Sequence, residues 1–191
     1  MGHQQRRERE KKEMKQRILD AALQIAMSRG WEGVTIRKIA DRIEYAPPIV
    51  YAYFRNKAEL FDELGILGHR MLSEDNHRAV SGVDDPREAL LRVSLNFWDF
   101  AFLHKELYQL MFSLNRTIPG EVIALSLEAI KRGFFDLVGE QEEAKEVMFS
   151  WMCFQQGYIH NVKQMGLPAD LGDRNPRDLF QRAMKTYLSH I

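Results

Sequence analysis

The sequence predicts an all-α protein, with a small three-helix unit at the N-terminus and a larger helical body behind it. Apolar residues recur with the 3.6-residue period of a helix in nearly every segment that has a clear period. No useful length of chain alternates apolar and polar residues as a half-buried strand does, and no motif repeats at a fixed interval. With 45% apolar residues, a chain of 191 residues can bury a sizeable core.

Start and stop residues define the three helices of the N-terminal unit. Residues 14–29 carry one apolar stripe and stop before Gly30, which suits a left-handed helix end. Thr35 is a suitable N-cap for a helix over Ile36–Ile43. Two prolines then favour a third, short helix over residues 47–54, because proline fixes φ at a helical value.

The body is predicted from the same kinds of signal. The run Asn56-Lys57-Ala58-Glu59 resembles a capping box and opens a long helix, which residues 81–85 interrupt. Breaks that contain proline or glycine divide the rest of the chain. The remaining predicted helices cover Pro86–Leu103, 104–114, 121–138, 141–165 and a last segment from Asn175 and Pro176 to the C-terminus.

Composition and charge exclude several classes of protein. One cysteine, Cys153, cannot form an internal disulfide or a four-cysteine metal site, so we expect a reducing, cytoplasmic compartment. The longest run without Asp, Glu, Lys or Arg is residues 147–162, shorter than the ~20 apolar residues of a membrane helix, and no secretory signal is recognisable. We therefore expect no membrane partner.

A zero net charge hides an asymmetry along the chain. Residues 1–57 hold 13 basic and 7 acidic residues, whereas residues 58–191 hold 14 basic and 20 acidic ones. A basic first third beside an acidic remainder indicates a polyanion-binding module joined to a module with another task. Two short helices joined by residues 44–46, behind a longer one, have the dimensions of a helix-turn-helix, which places its second helix in the major groove of DNA.

These residues also match a known family. The stretches Val34-Thr35-Ile36-Arg37-Lys38-Ile39-Ala40-Asp41-Arg42 and Val50-Tyr51-Ala52-Tyr53-Phe54-Arg55-Asn56-Lys57-Ala58-Glu59-Leu60 resemble the DNA-binding signature of TetR-family transcriptional regulators. Residues 107–112 and 151–157 resemble the WHG-type regulatory domain of part of that family, although Gln156-Gly157 stands where the family has His-Gly. The resemblance implies a homodimeric, ligand-responsive regulator of operator DNA, most often a repressor.

The sequence departs from the family pattern in the turn. Glu44 replaces the usual glycine and Ala46 the usual serine cap. Glutamate raises the backbone energy if the turn needs a positive φ, and alanine cannot cap a helix. The two prolines after the turn would offset this by forming the helix start in advance.

The DNA contacts divide into phosphate and base contacts. Lys57 lies in the first turn of a helix, where its charge opposes the helix dipole, so a phosphate there would resolve the conflict. The third helix has no Arg, Lys, Asn or Gln to read bases, so we expect apolar contact with thymine methyl groups, with Arg42 and Arg55 nearby, and a contribution from DNA shape. We assign Phe54 to the core and Tyr51 to the core edge, its hydroxyl near the DNA backbone. The predicted DNA-binding residues are Thr35, Arg37, Pro47, Pro48, Ile49, Tyr51, Ala52, Tyr53 and Lys57.

The N-terminal arm is basic. Residues 4–17 carry Arg6, Arg7, Arg9, Lys11, Lys12, Lys15 and Arg17 against three glutamates. Either a flexible arm over residues 1–13 tracks a minor groove, or this is a solvated, frayed helix start. The predicted domains are then the arm, a DNA-binding domain over residues 14–61, and a ligand-binding and dimerisation domain over residues 62–191.

The body offers a partner face and a pocket. Residues 121–138 and 141–165 are predicted to form an antiparallel pair, two of which would build a four-helix dimer interface, with Gly157 explained by close helix approach or simply tolerated. We expect Arg92, Asn96 and Asp99 to form a solvent-facing stripe. An apolar or aromatic small molecule is predicted to bind between the helices over residues 86–103 and 141–165. The predicted ligand-binding residues are Trp98, Phe102, Met111, Phe112, Met148, Trp151, Met152 and Tyr158.

Other classes remain as alternatives. His69, Glu74, Asp75 and His77 are the best metal-like group, but their spacing does not match a zinc helix, so we expect surface residues and no metal or cofactor. No nucleophile elbow or phosphate-binding loop indicates an enzyme. A structural module with a degenerate helix-turn-helix is one alternative. A redox sensor using Cys153 is another, although a lone cysteine among Trp151, Met152 and Phe154 is more often buried and inert.

Overall fold

The computed structural model describes residues 2–112, 119–139 and 142–191. Within these ranges the regular structure is helical and contains no strand, as predicted. Short 3₁₀ turns over Trp31–Gly33 and Ala169–Leu171 were not expected from the sequence. The helices are α1 (His3–Arg29), α2 (Ile36–Ile43), α3 (Pro48–Tyr51), α4 (Lys57–Val80), α5 (Pro86–Leu103), α6 (Lys105–Met111), α7 (Gly120–Val138), α8 (Glu142–Met165) and α9 (Pro176–Leu188).

Helices with a clear cap start and end where the sequence predicts. The bounds of α2 and α5 agree to the residue, and their N-caps, Thr35 and Asp85, both accept a backbone hydrogen bond. The predicted flexible arm is wrong, because α1 begins at His3 and ion pairs such as Arg6 to Glu10 span successive turns. The ends predicted at residues 114 and 141 lie outside the described residues.

The chain divides into two compact units. The first combines Met1–Gly68 with Lys105–Ile118, and the second combines His69–His104 with Pro119–Ile191. The predicted DNA-binding domain over residues 14–61 lies within the first unit. The first unit also takes α6 from the segment that the sequence assigns to the body.

The core of the first unit is built where α1 and α2 meet. Ile18 and Ala22 of α1 and Ile39 of α2 are fully buried. The same unit packs α6 closely on α4: a Cβ added to Gly68 would lie 2.5 Å from the Met111 sulfur, so a larger residue there would require the Met111 side chain to move. The indole of Trp31 donates a hydrogen bond of 3.1 Å to the backbone carbonyl of Glu106, which fixes the 3₁₀ turn against α6.

Aromatic side chains fill the second unit. Its central helix, α5, packs against α7, α8 and α9. Trp98 lies against Phe180 of α9, with ring centroids 4.9 Å apart, and Trp151 of α8 meets Phe134 of α7 edge-on at 5.4 Å. These four rings are buried and anchor the helices to one another.

The polar stripe on α5 is not simply a solvent face, which corrects the prediction for two of its residues. Asp99 accepts two hydrogen bonds, of 2.7 and 2.8 Å, from the guanidinium of Arg177 at the start of α9. Asn96 donates to the side chain of Asn76 on α4 at 2.8 Å. Arg92 alone keeps the expected role, because it pairs with Glu88 on its own exposed face.

His69 is buried, whereas the sequence pattern predicted a surface position. Its Nδ1 lies 3.1 Å from the hydroxyl of Ser126 on α7, and only 3% of its surface is exposed. Asn76 reaches the carbonyl of the same serine at 3.4 Å. Burial disfavours the imidazolium and lowers the pKa of His69 to about 4.

We predict that this histidine makes the protein less stable in weak acid. Its pKa is below the unfolded value of about 6.5, so between pH 6.5 and 4 the unfolded chain binds a proton that the folded chain does not. Stability should therefore fall as the pH falls through this window. The free energy of unfolding, measured by urea titration, should lose on the order of 2–3 kcal/mol more in wild type than in His69→Gln.

The exposed His77 supplies the control, since His77→Gln should keep the wild-type pH dependence. A His69→Gln variant with the same pH dependence as wild type would contradict a buried neutral imidazole.

Candidate nucleic-acid interface

The turn between α2 and α3 is left-handed at Glu44. This residue has φ 63° and ψ 41°, and the amide of Tyr45 donates to the carbonyl of Ala40 at 2.9 Å. That bond closes the end of α2 in the way that glycine-ended helices commonly do. The structure thus confirms that the turn needs a positive φ, at a cost of ~1–2 kcal/mol for a residue with a Cβ.

Arg17 holds this turn from α1. Its guanidinium donates a 3.2 Å hydrogen bond to the carbonyl of Ile43, the last residue of α2, and lies 5.5 Å from the ring centre of Tyr45. A cation at a helix C-terminus is favourable for the helix dipole. The sequence pattern placed Arg17 only among the basic arm residues, because no spacing rule connects it to a carbonyl 26 residues away.

The third helix, α3, is shorter than predicted and covers Pro48–Tyr51, followed by a turn. Val50 and Phe54 are buried, at 0% and 1% exposure, and anchor it, as expected for Phe54. No side chain caps it, in agreement with the absence of a serine at position 46.

The outer surface of α3 and the following turn is apolar. Pro48 and Ala52 are exposed, and Pro47, Ile49 and Tyr53 are half-buried. The assignment of Tyr51 to the core edge is wrong, because 57% of its surface is exposed. The phenol side chain of Tyr51 is therefore one of the groups that this surface exposes to solvent.

The start of α4 is tightly capped. The Asn56 side chain accepts from the amide of Glu59 at 2.9 Å, which confirms the predicted cap, whereas the Glu59 carboxylate accepts from the amide of Arg55 at 2.6 Å, one residue before the amide that a capping box pairs. The Arg55 backbone hydrogen bond is the main cause that lowers the pKa of Glu59. The hydrogen bonds of Glu59 thus fix the backbone at the start of α4, where Lys57 lies.

Lys57 is half-buried and already partly engaged. Its ammonium lies 3.4 Å from the carbonyl of Trp31 and 5.0 Å from the ring centre of Phe61. The 3.4 Å hydrogen bond is long, and an ammonium has three donors, so the contact leaves capacity for a phosphate. The phosphate contact itself stays a prediction.

The start of α2 offers a second set of donors. The Thr35 hydroxyl oxygen accepts from the amide of Lys38 at 3.2 Å, while its own proton can still be donated. Arg37 is exposed. The Lys38 ammonium instead donates a hydrogen bond of 3.0 Å to the carbonyl of Gly33, inside the same unit.

The eight predicted ligand-binding residues do not form one set. Trp98 stacks on Phe102 at 4.6 Å and meets Tyr158 at 6.2 Å, and Phe180, which sequence reasoning missed, completes this group. Trp151 lies against Phe134 instead. The remaining candidates are Met148 and Met152, both half-buried on α8, and Met111 and Phe112, which belong to the first unit.

One expectation for α8 needs correction: Cys153 is exposed and is therefore not the buried, inert thiol expected from its apolar neighbours. Among the described residues, a Cβ at Gly157 would have no heavy atom within 4 Å, so the alternatives for this glycine are close approach by a helix of a partner chain or a tolerated glycine. Both residues lie on a side of α8 that faces away from the core.

Among the described residues, no group of three or more His, Cys, Asp or Glu residues is placed to hold a metal ion. In the same part of the chain, no helix combines the length and the apolarity needed to cross a membrane.

Comparison with known proteins supports a regulatory role for the first unit. Residues 18–64 match the family model described as bacterial regulatory proteins, tetR family. The tetracycline repressor protein class A from transposon 1721 of Escherichia coli is 35% identical over 74 residues, which are 39% of this chain and 33% of that protein. The HTH-type transcriptional activator FasR of Mycolicibacterium smegmatis is 28% identical over 131 residues, 66% of this chain and 59% of its own.

The matched segments thus span about a third and about three fifths of these two relatives. Both relatives are named as regulators of transcription. The solved structure of the transcriptional regulator SCO7222, a TetR from Streptomyces coelicolor, shares the fold, with a TM-score of 0.72 at 20% identity over 92% of this chain and 96% of that one.

We predict that Glu44→Gly stabilises the protein. Glycine removes the strain of the left-handed backbone, although it also increases the entropy of the unfolded chain. The free energy of unfolding should rise by about 0.5–1 kcal/mol in urea titration. As a control, Glu32→Gly lies in the same unit without a positive φ and should give no increase. Equal or lower stability in Glu44→Gly would mean that the glutamate side chain compensates for its backbone.

Proposed function

Because this chain belongs, through residues 18–64, to the tetR family of bacterial regulatory proteins, we propose that it regulates transcription by binding operator DNA as a homodimer in the cytoplasm. The observation that carries the proposal is the helix-turn-helix of the first unit. Its second helix, α3, is anchored by Val50 and presents an apolar surface to solvent. Arg17 and the left-handed Glu44 fix the turn that leads into this helix. This arrangement suits insertion into a major groove.

Phosphate contacts position this unit on the duplex in the proposal. The donors are the Lys57 ammonium, the Thr35 hydroxyl, the Arg37 guanidinium and the Tyr53 hydroxyl, which flank α3 on both sides in the sequence. The excess of 13 basic over 7 acidic residues in residues 1–57 supplies the attraction.

Base recognition rests on apolar contact and on DNA shape. Ile49 and Ala52 suit thymine methyl groups, and the exposed phenol of Tyr51 adds a hydrogen-bonding group. Since no basic or amide side chain lies on α3, discrimination between G·C and A·T pairs would depend on these few contacts and on the deformability of the operator.

Exposed apolar side chains on α8 support a homodimer. Phe149 and Phe154 are 62% and 38% exposed. They lie on a helix that packs on α7 within the second unit. Two such helix pairs would cover these rings in a four-helix interface.

We expect dimers in solution from this surface. Sedimentation at micromolar concentration should give twice the mass of 22.4 kDa. Phe149→Glu, which places a charge on the exposed ring position, should shift the protein towards monomer, whereas Tyr51→Glu, an equally exposed aromatic on α3, should leave the mass unchanged. A monomeric wild type would overturn the dimer, and with it binding to a two-fold operator.

The effector proposed for the body is a small apolar or aromatic molecule whose binding releases the operator, so that the protein acts as a repressor. The concentration of aromatic side chains in the second unit, around Trp98 and around Trp151, supports it, because ligand sites are lined mainly by such side chains. The ligand would act through the difference between its affinities for the DNA-bound and released states.

The central test concerns Lys57. Lys57→Ala should weaken binding to operator and non-operator DNA alike, and should lower the slope of log affinity against log salt by about one. Lys185→Ala, a lysine of α9 in the second unit, is the matched control and should change neither. In contrast, Ile49→Ala should change base preference at similar non-specific affinity.

An unchanged salt slope in Lys57→Ala would mean that Lys57 does not contact a phosphate and only makes the hydrogen bond to the Trp31 carbonyl. A wild-type protein that binds no promoter DNA of its own genome would leave the alternative of a structural module.

The exposure of Cys153 favours one second candidate, a regulator released by thiol oxidation. In that case peroxide treatment should abolish operator binding in wild type and not in Cys153→Ser. Operator binding that survives peroxide excludes this trigger.

A further inference from the structure

Two buried polar atoms on α8 have no hydrogen-bond partner among the described residues. They are the indole Nε1 of Trp151 and the amide Oε1 of Gln155. Trp151 is 0% exposed and Gln155 is 4% exposed. Polar atoms buried in this way are almost always paired in native proteins, so each unpaired one calls for an explanation.

The two residues lie on the same face of α8, one turn apart. Ile159, the next residue on that face, is also fully buried. A glutamine between two fully buried apolar side chains is unfavourable unless its amide is hydrogen-bonded. A leucine would pack there without this penalty, so packing alone does not explain the glutamine.

These two atoms determine which chemical group could form hydrogen bonds with both of them. Trp151 Nε1 can only donate a hydrogen bond, and Gln155 Oε1 can only accept one. A neutral hydroxyl satisfies both, because its oxygen accepts from the indole while its proton is donated to the amide oxygen. With the Gln155 amide in this orientation, a carboxylate would accept from the indole but would be repelled by the amide oxygen, whereas an amide rotated by half a turn would favour the carboxylate.

We propose that Trp151 and Gln155 bind the hydroxyl group of an effector that is otherwise apolar, a phenol or an alcohol. The inference rests on the proposed ligand-responsive function and refines it, since it names the polar group of the effector and adds Gln155 as a specificity-determining residue. The T-shaped contact of Trp151 with Phe134, at 5.4 Å, holds the indole in place for this role.

The test uses matched probes on the full-length protein. The 4-alkylphenols from ethyl to hexyl are compared with the alkylbenzenes and the 4-alkylbenzoates of the same chain length, by thermal shift and by release of operator DNA. At least one phenol should bind wild type about tenfold more tightly than its alkylbenzene. It should also bind more tightly than its benzoate.

Gln155→Leu should remove this preference by weakening phenol binding while leaving alkylbenzene binding unchanged. Gln156→Leu, the same substitution at the next and more exposed position, is the matched control and should behave as wild type. Without any ligand, Gln155→Leu should raise the midpoint of thermal unfolding, because it removes an unpaired buried amide.

Each opposite result overturns the inference. Equal binding of phenols and alkylbenzenes, a preference for benzoates, binding of none of the probes, or a lower unfolding midpoint in ligand-free Gln155→Leu would each do so. These outcomes leave the proposed regulatory function standing as long as operator binding by the wild type and its dependence on Lys57 are found in the same preparation.

Discussion

The hydrogen bonds at the end of α2 determine what the first unit can present. A helix that ends without partners leaves four carbonyl groups unpaired, and here the carbonyls of Ala40 and Ile43 are taken by the Tyr45 amide and by Arg17. This fixes the direction in which the chain leaves α2 and therefore the position of α3, which has only four residues and few contacts of its own. A left-handed glutamate is the cost of that geometry. The energy that α3 cannot supply comes from Val50 and Phe54 beneath it.

At the start of α4, in the same unit, the positive charge of Lys57 opposes the helix dipole. A lysine in the first turn of a helix is unfavourable, and the carbonyl of Trp31 and the ring of Phe61 both offset it in the absence of DNA. The ammonium is thereby held at one place instead of moving freely on its stem, so a phosphate contact there would lose less side-chain entropy. Order in the free protein and affinity for a polyanion then have the same structural origin.

Local signals in the sequence were sufficient for most of the fold. Proline, asparagine, threonine and aspartate caps act within three residues, so α2, α5 and the N-cap of α4 could be located from the sequence. Contacts between distant residues could not: Arg17 with Ile43, Asp99 with Arg177 and His69 with Ser126 join residues 26, 78 and 57 positions apart. The exposure of Tyr51 and Cys153 was missed for a related reason, since apolar neighbours in sequence say little about which side of a helix faces the core. The helix bounds and caps around the candidate DNA-binding site could be predicted where a motif covers them, whereas in the body aromatic residues alone do not distinguish a pocket from a core.

The buried polar groups of the second unit differ in whether the protein satisfies them itself. Hydrogen bonds join the Nδ1 atom of His69 to Ser126, Ser126 to Asn76, and Asn76 to Asn96, so they help to specify how α4, α5 and α7 pack. Trp151 and Gln155 bury a donor and an acceptor one turn apart without such partners among the described residues. A group that costs stability in the free protein and gains a partner on binding makes the bound state more favourable by the same amount. A ligand that fills this deficit would change which of two functional states predominates only if it binds them with different affinities, so the proposal requires Trp151 and Gln155 to be arranged differently in the operator-bound and released states.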